Sequence, residues 1–280
     1  VHRLIEQGVS VNARDTRGFS ALHLSVGGWP SIGQTGHPNL HVSTAGGSRV
    51  EIVSTLLKHG AEVNLVVGES KSFYTGAEGD TPLVWATQLD RVDIMRQLLA
   101  AGADPKGRAA KEHPSEPPLV AAAQNGSLEA MKVLLDAGAP ADHGRPLYRL
   151  YDRGMRRDFV EPSPEVRTAQ VKLLLDFGAD PDLSDLGSYS PLSQSISRGN
   201  VDAVRLLLNA KARVDRADIY SGTTPLMVAV RSQEIAMVKL LLEFGADRHL
   251  KDKKGQTARS IAESLGLMEI AKLLGDDDGS

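Results

Sequence analysis

The sequence predicts an all-α repeat solenoid of about seven helix-turn-helix units, forming a single domain over residues 1–280. Three observations predict it. A Leu-rich helix closing in a Gly-Ala turn recurs along the chain, a second helix start, Thr/Ser-Pro-Leu or a looser version of it, recurs between the copies, and the two landmarks alternate throughout. Each pair of landmarks defines one two-helix unit.

Residues 1–12 hold a half-copy, Leu4-Ile5-Glu6-Gln7-Gly8, which reads as the end of a partial N-terminal repeat and implies that the natural protein extends upstream. The unit 13–64 starts its inner helix at Ser20-Ala21-Leu22 and closes its outer helix at Leu56-Leu57-Lys58-His59-Gly60-Ala61. In 65–105 the landmarks are Thr81-Pro82-Leu83 and Leu98-Leu99-Ala100-Ala101-Gly102-Ala103; in 106–142 they are Pro117-Pro118-Leu119 and Leu134-Leu135-Asp136-Ala137-Gly138-Ala139. The unit 143–182 runs from Arg145-Pro146-Leu147 to Leu174-Leu175-Asp176-Phe177-Gly178-Ala179. Ser190-Pro191-Leu192 and Leu207-Leu208-Asn209-Ala210-Lys211-Ala212 bound the helices of 183–215, and Thr224-Pro225-Leu226 and Leu241-Leu242-Glu243-Phe244-Gly245-Ala246 those of 216–249. Residues 250–280, opened by Thr257-Ala258-Arg259, read as a cap: Arg259, Ser260, Glu263, Ser264, Glu269 and Lys272 interrupt the apolar pattern ahead of the acidic Asp276-Asp277-Asp278 tail.

The landmarks have physical reasons. A Thr or Ser hydroxyl caps the orphan amides of a helix start, and proline at the first helical position loses no hydrogen bond. Glycine then ends the outer helix, because it takes positive φ at little cost, and Lys211 at the equivalent place predicts a strained or reshaped turn.

Composition bounds the function. Apolar residues at 41% and charged residues at 24% indicate a folded chain, neither disordered nor fibrous. A net charge of -3 gives no global reason to approach nucleic acid or an anionic membrane. The absence of cysteine excludes disulfides, thiolate metal sites and a cysteine nucleophile, and fits an intracellular, cytoplasmic or nuclear, setting. No apolar run reaches the roughly 18 residues of a membrane span.

Four irregularities interrupt the register. Residues 27–48 form an insertion between inner and outer helices, carrying Trp29, and a second insertion runs from Tyr151 to about Val166. The segment from Leu65 to Gly79 is stretched and carries Phe73 and Tyr74, whereas Asp142 to Arg145 is shortened almost to nothing.

Asp15-Thr16-Arg17-Gly18-Phe19-Ser20-Ala21-Leu22-His23-Leu24 and Gly79-Asp80-Thr81-Pro82-Leu83-Val84-Trp85-Ala86 resemble the ankyrin repeat, and with the landmarks above the resemblance covers nearly the whole chain. It implies a β-hairpin-like finger, an inner helix and an outer helix in each unit. Neighbouring units would then share one apolar core, with no single unit able to fold alone. It also implies that His23 ties a finger to a helix, and that Asn12 and Asn64 resemble asparagines that some ankyrin proteins present to a hydroxylase, their plainer role being in turns.

Chemistry finds little support. The histidines lack metal-ligand spacing, no Ser/His/Asp set has a strained nucleophile turn, and the glycine pairs lack the lysine of a phosphate loop. No catalytic, metal or cofactor residue is therefore assigned, and no cofactor is expected. The Arg-rich stretch from Arg145 to Arg157 is interleaved with Asp152 and reads as a solvated loop.

By the resemblance, finger tips and inner-helix ends face a concave groove. Those positions here include Arg17 and Phe19; Asp80; Arg153; Tyr189 and Arg198; Tyr220, Thr223 and Arg231, and the stretched finger adds Phe73 and Tyr74. Arg153, Arg198 and Arg231 near Tyr189 and Tyr220 combine residue types enriched in binding hot spots, a surface that an acidic or phosphorylated segment would fit. The expected function is a protein-protein interaction module for a partner protein or peptide, not an enzyme. The competing expectation is an enzyme or small-ligand sensor with a pocket built from the Trp29 loop, the Phe73-Tyr74 finger and the Arg153 loop.

Overall fold

The computed structural model describes residues 5–15, 18–27, 48–67, 79–107, 116–151, 161–184 and 189–275. Among these residues it contains fourteen helices. Inner helices are α1 (Ala21–Val26), α3 (Pro82–Gln88), α5 (Pro118–Asn125), α7 (Pro146–Arg149), α9 (Pro191–Ser197), α11 (Pro225–Arg231) and α13 (Ala258–Ser264). Outer helices are α2 (Arg49–Lys58), α4 (Val92–Ala100), α6 (Leu128–Asp136), α8 (Pro164–Asp176), α10 (Val201–Asn209), α12 (Ile235–Glu243) and α14 (Met268–Leu274). The seven pairs fall at the seven pairs of sequence landmarks.

The starts form as the residue types dictate. Ser20, Thr81, Ser190, Thr224 and Thr257 each accept the backbone N–H three residues on, at 3.4, 3.4, 3.2, 3.3 and 3.1 Å. Each such cap stabilises its helix by about 1 kcal/mol. Pro117, which has no hydroxyl, leaves α5 without a side-chain cap. At the outer-helix ends, Gly60, Gly102, Gly138, Gly178 and Gly245 all adopt φ between 82° and 90°. Lys211 is forced to φ 70° at the matching place. The Ala212 N–H still reaches the Leu207 carbonyl at 3.0 Å, as Ala246 reaches Leu241, so that turn is strained rather than reshaped.

Contacts group the chain into two compact units, Val1–Pro146 with Asp152–Pro162, and Leu147–Tyr151 with Ser163–Ser280. In the first, α1 packs on α3 and α3 on α5, while α2 packs on α4 and α4 on α6. Its core centres on Trp85, 1% exposed, against which Phe19 tilts at 5.1 Å between ring centroids and His23 stands edge-on at 5.6 Å. The shortened finger turns back through Gly144 at φ 74°, where an added Cβ would meet Pro117 Cγ at 2.7 Å and Val120 Cγ2 at 2.8 Å. In the second unit, α9 packs on α11 and α11 on α13, and α10 packs on both α8 and α12. Leu174, Leu207 and Leu241, one per outer helix, are all fully buried, each contributing about 1.5–3 kcal/mol.

Carboxamides and carboxylates tie neighbouring repeats within each unit. Asn12 Oδ1 accepts the Glu62 N–H at 2.8 Å, and Asn64 Oδ1 the Asp104 N–H at 2.8 Å. Asp182 Oδ2 accepts the Arg213 N–H at 3.2 Å and Asp215 Oδ1 the Asp247 N–H at 3.0 Å. Asn12 and Asn64 lie in turns, but their side chains reach the next repeat rather than closing their own turn. The fingers are hairpin-like without extended strands among the described residues: Asp15 bonds to the Phe19 carbonyl at 2.9 Å, Asp218 to Thr223 at 3.0 Å and Asp252 to Gln256 at 3.0 Å. In the last repeat Glu263, Ser264, Glu269 and Lys272 are exposed and Arg259 and Ser260 half-buried, as a cap requires.

Candidate partner-binding surface

The second unit carries an open groove of about 640 Å³ between its fingers and inner-helix ends. Three fingers and two inner helices contribute to it, because fingers repeat at one spacing and place their tips side by side. Tyr189 and Tyr220, 47% and 71% exposed, stand on successive fingers. Thr223 and Val228 lie buried at the base, and Arg231 closes the end of α11. The last finger adds Asp252, Lys253 and Lys254.

Hydrogen bonds fix the finger bearing Tyr220. The Asp218 carboxylate accepts the Ser221 N–H at 2.7 Å and the Ser221 hydroxyl at 2.5 Å, and the Asp218 carbonyl accepts the Gly222 N–H at 2.7 Å. Burial by itself would raise the Asp218 pKa. The Ser221 hydroxyl, the Ser221 and Tyr220 amides and the positive charge of Lys253 outweigh it and hold the carboxyl below its ordinary value. Asp252 is built the same way: its Oδ1 accepts N–H groups from Lys254 at 2.8 Å and Gln256 at 2.9 Å. Arg231 Nη2 lies 3.7 Å from Asp252 Oδ2.

The structure brings Tyr189, Tyr220 and Arg231 to one groove. Arg198 is exposed at the end of α9, with its guanidinium 5.8 Å from the centre of the Tyr151 ring. Arg167 sits 5.7 Å from the same ring, whose hydroxyl lies 3.1 Å from Ser195 Oγ. Arg198 and Arg231 thus already have contacts within the unit, Arg198 with Tyr151 and Arg231 with Asp252. Arg17, Phe73, Tyr74 and Arg153 lie outside the described residues, as do the Trp29 loop and the pocket envisaged from the insertions.

Phe19 corrects the sequence reading. It is 1% exposed and packs on Trp85, so it is a core residue and not part of an open surface. Position before the helix cap does not decide burial: Thr223, just before Thr224, is likewise buried, whereas Tyr189, just before Ser190, is 47% exposed, so it is Trp85 of the next repeat that covers Phe19. Asp80 is 5% exposed and accepts the Trp85 indole N–H at 3.1 Å, which removes it from the groove as well. Sequence reasoning missed Lys253 and Lys254. Asp252-Lys253-Lys254-Gly255 aligns with Asp15-Thr16-Arg17-Gly18, so the signal was present, but the last repeat had been treated only as a cap.

His23 does what its position implied. Its Nδ1 lies 2.8 Å from Ser20 Oγ and its Nε2 3.2 Å from the Asp80 carbonyl, which ties α1 to the next finger. A carbonyl can only accept, so Nε2 carries the proton and Nδ1 accepts from the serine. Among the described residues no helix is long and apolar enough to cross a membrane.

Comparison with known proteins agrees with this architecture. A family model described as "Ankyrin repeats (3 copies)" matches residues 1–109 and 166–252. The human B-cell lymphoma 3 protein is 28% identical over 261 residues, covering 92% of this chain and 50% of that protein. Its mouse homolog is 30% identical over 193 residues, covering 69% and 42%. The chain therefore spans half or less of the length of these relatives. The crystal structure of the human ASB11 ankyrin repeat domain superposes with a TM-score of 0.59 at 24% identity, over 82% of this chain and 95% of that one, and shows the shared fold. Ankyrin repeats are generally protein-protein interaction modules and typically not enzymes. By its repeated landmarks, its paired helices and the family match over most of its length, this chain belongs to the ankyrin repeat family.

Proposed function

We propose that this chain is a protein-interaction module whose second unit holds a segment of a partner protein or peptide in the groove of Tyr189, Tyr220 and Arg231. An acidic or phosphorylated segment fits its charge. One observation carries the reading: two exposed tyrosines on successive fingers flank an open groove whose cations face solvent while Asp218 and Asp252 are turned inward. Tyrosine offers rigid apolar area with a polar tip, and arginine a planar fork for oxyanions, so recognition needs no bond making or breaking. The chain has a net charge of -3, which favours a polypeptide over a nucleic acid or a membrane surface. Arg198 is a further proposed contact of the second unit, and Arg17, Phe73, Tyr74 and Arg153 stay as proposed contacts from the sequence alone. The lack of cysteine suits an intracellular setting.

The test is selection from a displayed peptide library on the intact chain, followed by affinity measurement with Tyr189→Ala, Tyr220→Ala and Arg231→Ala. Each truncation is expected to weaken selected peptides by about tenfold or more, as for central interface residues. Selected peptides that bind all three variants as tightly as the original chain would remove the groove from the account.

A further inference from the structure

We propose that this groove selects carboxylate-bearing segments by an exchange in which the Arg231 guanidinium leaves Asp252 for a carboxylate of the partner. The inference rests on the groove reading above and adds the chemical class of its occupant.

Asp252 is secured without Arg231. Its side chain is only 4% exposed, and two backbone amides, from Lys254 and Gln256, hold its Oδ1 at 2.8 and 2.9 Å. Arg231 touches the other oxygen at 3.7 Å, too far for a hydrogen bond, and its own side chain is 47% exposed. The guanidinium can therefore swing outward while the finger keeps both amide bonds. A partner carboxylate could accept two parallel N–H bonds at about 2.7–2.9 Å, shorter and better directed than the contact given up.

Charge placement names the anion. Lys253 and Lys254 are exposed at the rim, and among the described residues neither forms an ion pair within 4.0 Å. Asp218 is committed inward through Ser221. The groove is thus locally positive in a chain of net charge -3. A singly charged carboxylate suits it better than a phosphate dianion. Arg231, Lys253 and Lys254 against Asp218 and Asp252 leave a formal charge of about +1, which one carboxylate balances and a dianion exceeds.

The probe is a panel of fluorescein-labelled peptides of about ten residues, with one central Leu, Phe or Trp flanked by glutamates, by glutamines or by phosphoserines. Asp252→Asn keeps an Oδ1 acceptor for both amides and removes the charge that competes for Arg231. It is expected to tighten the glutamate peptides by about threefold to tenfold, whereas Arg231→Gln weakens them by about tenfold and the double variant matches Arg231→Gln alone. In the unsubstituted chain, the Arg231 side-chain NMR signals should move when glutamate peptide is added, a readout independent of any variant. The exchange is overturned by unchanged or weaker binding in Asp252→Asn, by the same gain without Arg231, by unmoved Arg231 signals, or by tighter binding of the phosphoserine peptides. The groove reading fails separately, if no peptide binds or if Tyr189→Ala and Tyr220→Ala leave glutamate-peptide affinity untouched.

Discussion

Acidification should loosen the first unit through one side chain, His23. The imidazole is fully buried and, among the described residues, has no counter-charge beside it; its ring nitrogens face the Ser20 hydroxyl and the Asp80 carbonyl. Burial dominates and lowers its pKa from 6.5 to about 4; the hydrogen bond to the Asp80 backbone opposes this, the charge of Arg14 adds to it, and the Leu65 backbone opposes it again. The folded value lies below the unfolded one, so the unfolded chain takes up the proton first as pH falls. The contribution is therefore complete above about pH 6.5, declines through the window down to about pH 4, and levels off below it. A displacement from 6.5 to about 4 corresponds to about 3 kcal/mol, a large share of the stability of an ordinary domain. Urea unfolding of the original chain and His23→Gln, at a series of pH values from neutral to about 4.5, isolates this term. Losses from carboxylates such as Asp218, whose depressed pKa also costs stability on the acid side, are common to both proteins and cancel in the difference. His23→Gln is expected to be the less stable protein near neutrality and to close about 2.5 kcal/mol of that gap by pH 4.5. Parallel pH curves for the two proteins would refute the argument.

Two further outcomes follow from the packing. Lys211→Gly should stabilise the second unit by about 1 kcal/mol, because glycine adopts the φ of 70° without strain; an unchanged or lower urea midpoint would contradict this. Trp85→Phe should destabilise the first unit by about 2 kcal/mol, since the buried Asp80 carboxylate loses the indole N–H at 3.1 Å, and thermal unfolding reads the loss directly.

Most of the fold could be read from the sequence because its signals are local and repeated. A hydroxyl at Thr224, a proline at Pro225 and a glycine at Gly245 each report a backbone geometry within a few residues, and recurrence fixes the register. Lys211 was singled out by the same logic, and its φ shows why. The surface was less legible, because exposure depends on what a side chain meets from other repeats. Phe19 was placed on an open face, yet Trp85, far along the chain, covers it. Arg198 and Arg231 were placed near Tyr189 and Tyr220, but Tyr151 and Asp252, which no local alignment pairs with them, also stand beside them. Lys253 and Lys254 could have been found by extending the finger alignment into the final repeat.

The most direct measurement is a backbone NMR titration of the intact chain with the tightest peptide from the display selection. Binding should move the signals of Tyr189, Tyr220, Arg231 and Lys253, with α8, α10 and α12 unaffected. Changes confined to those outer helices, with the groove signals still, would contradict the account.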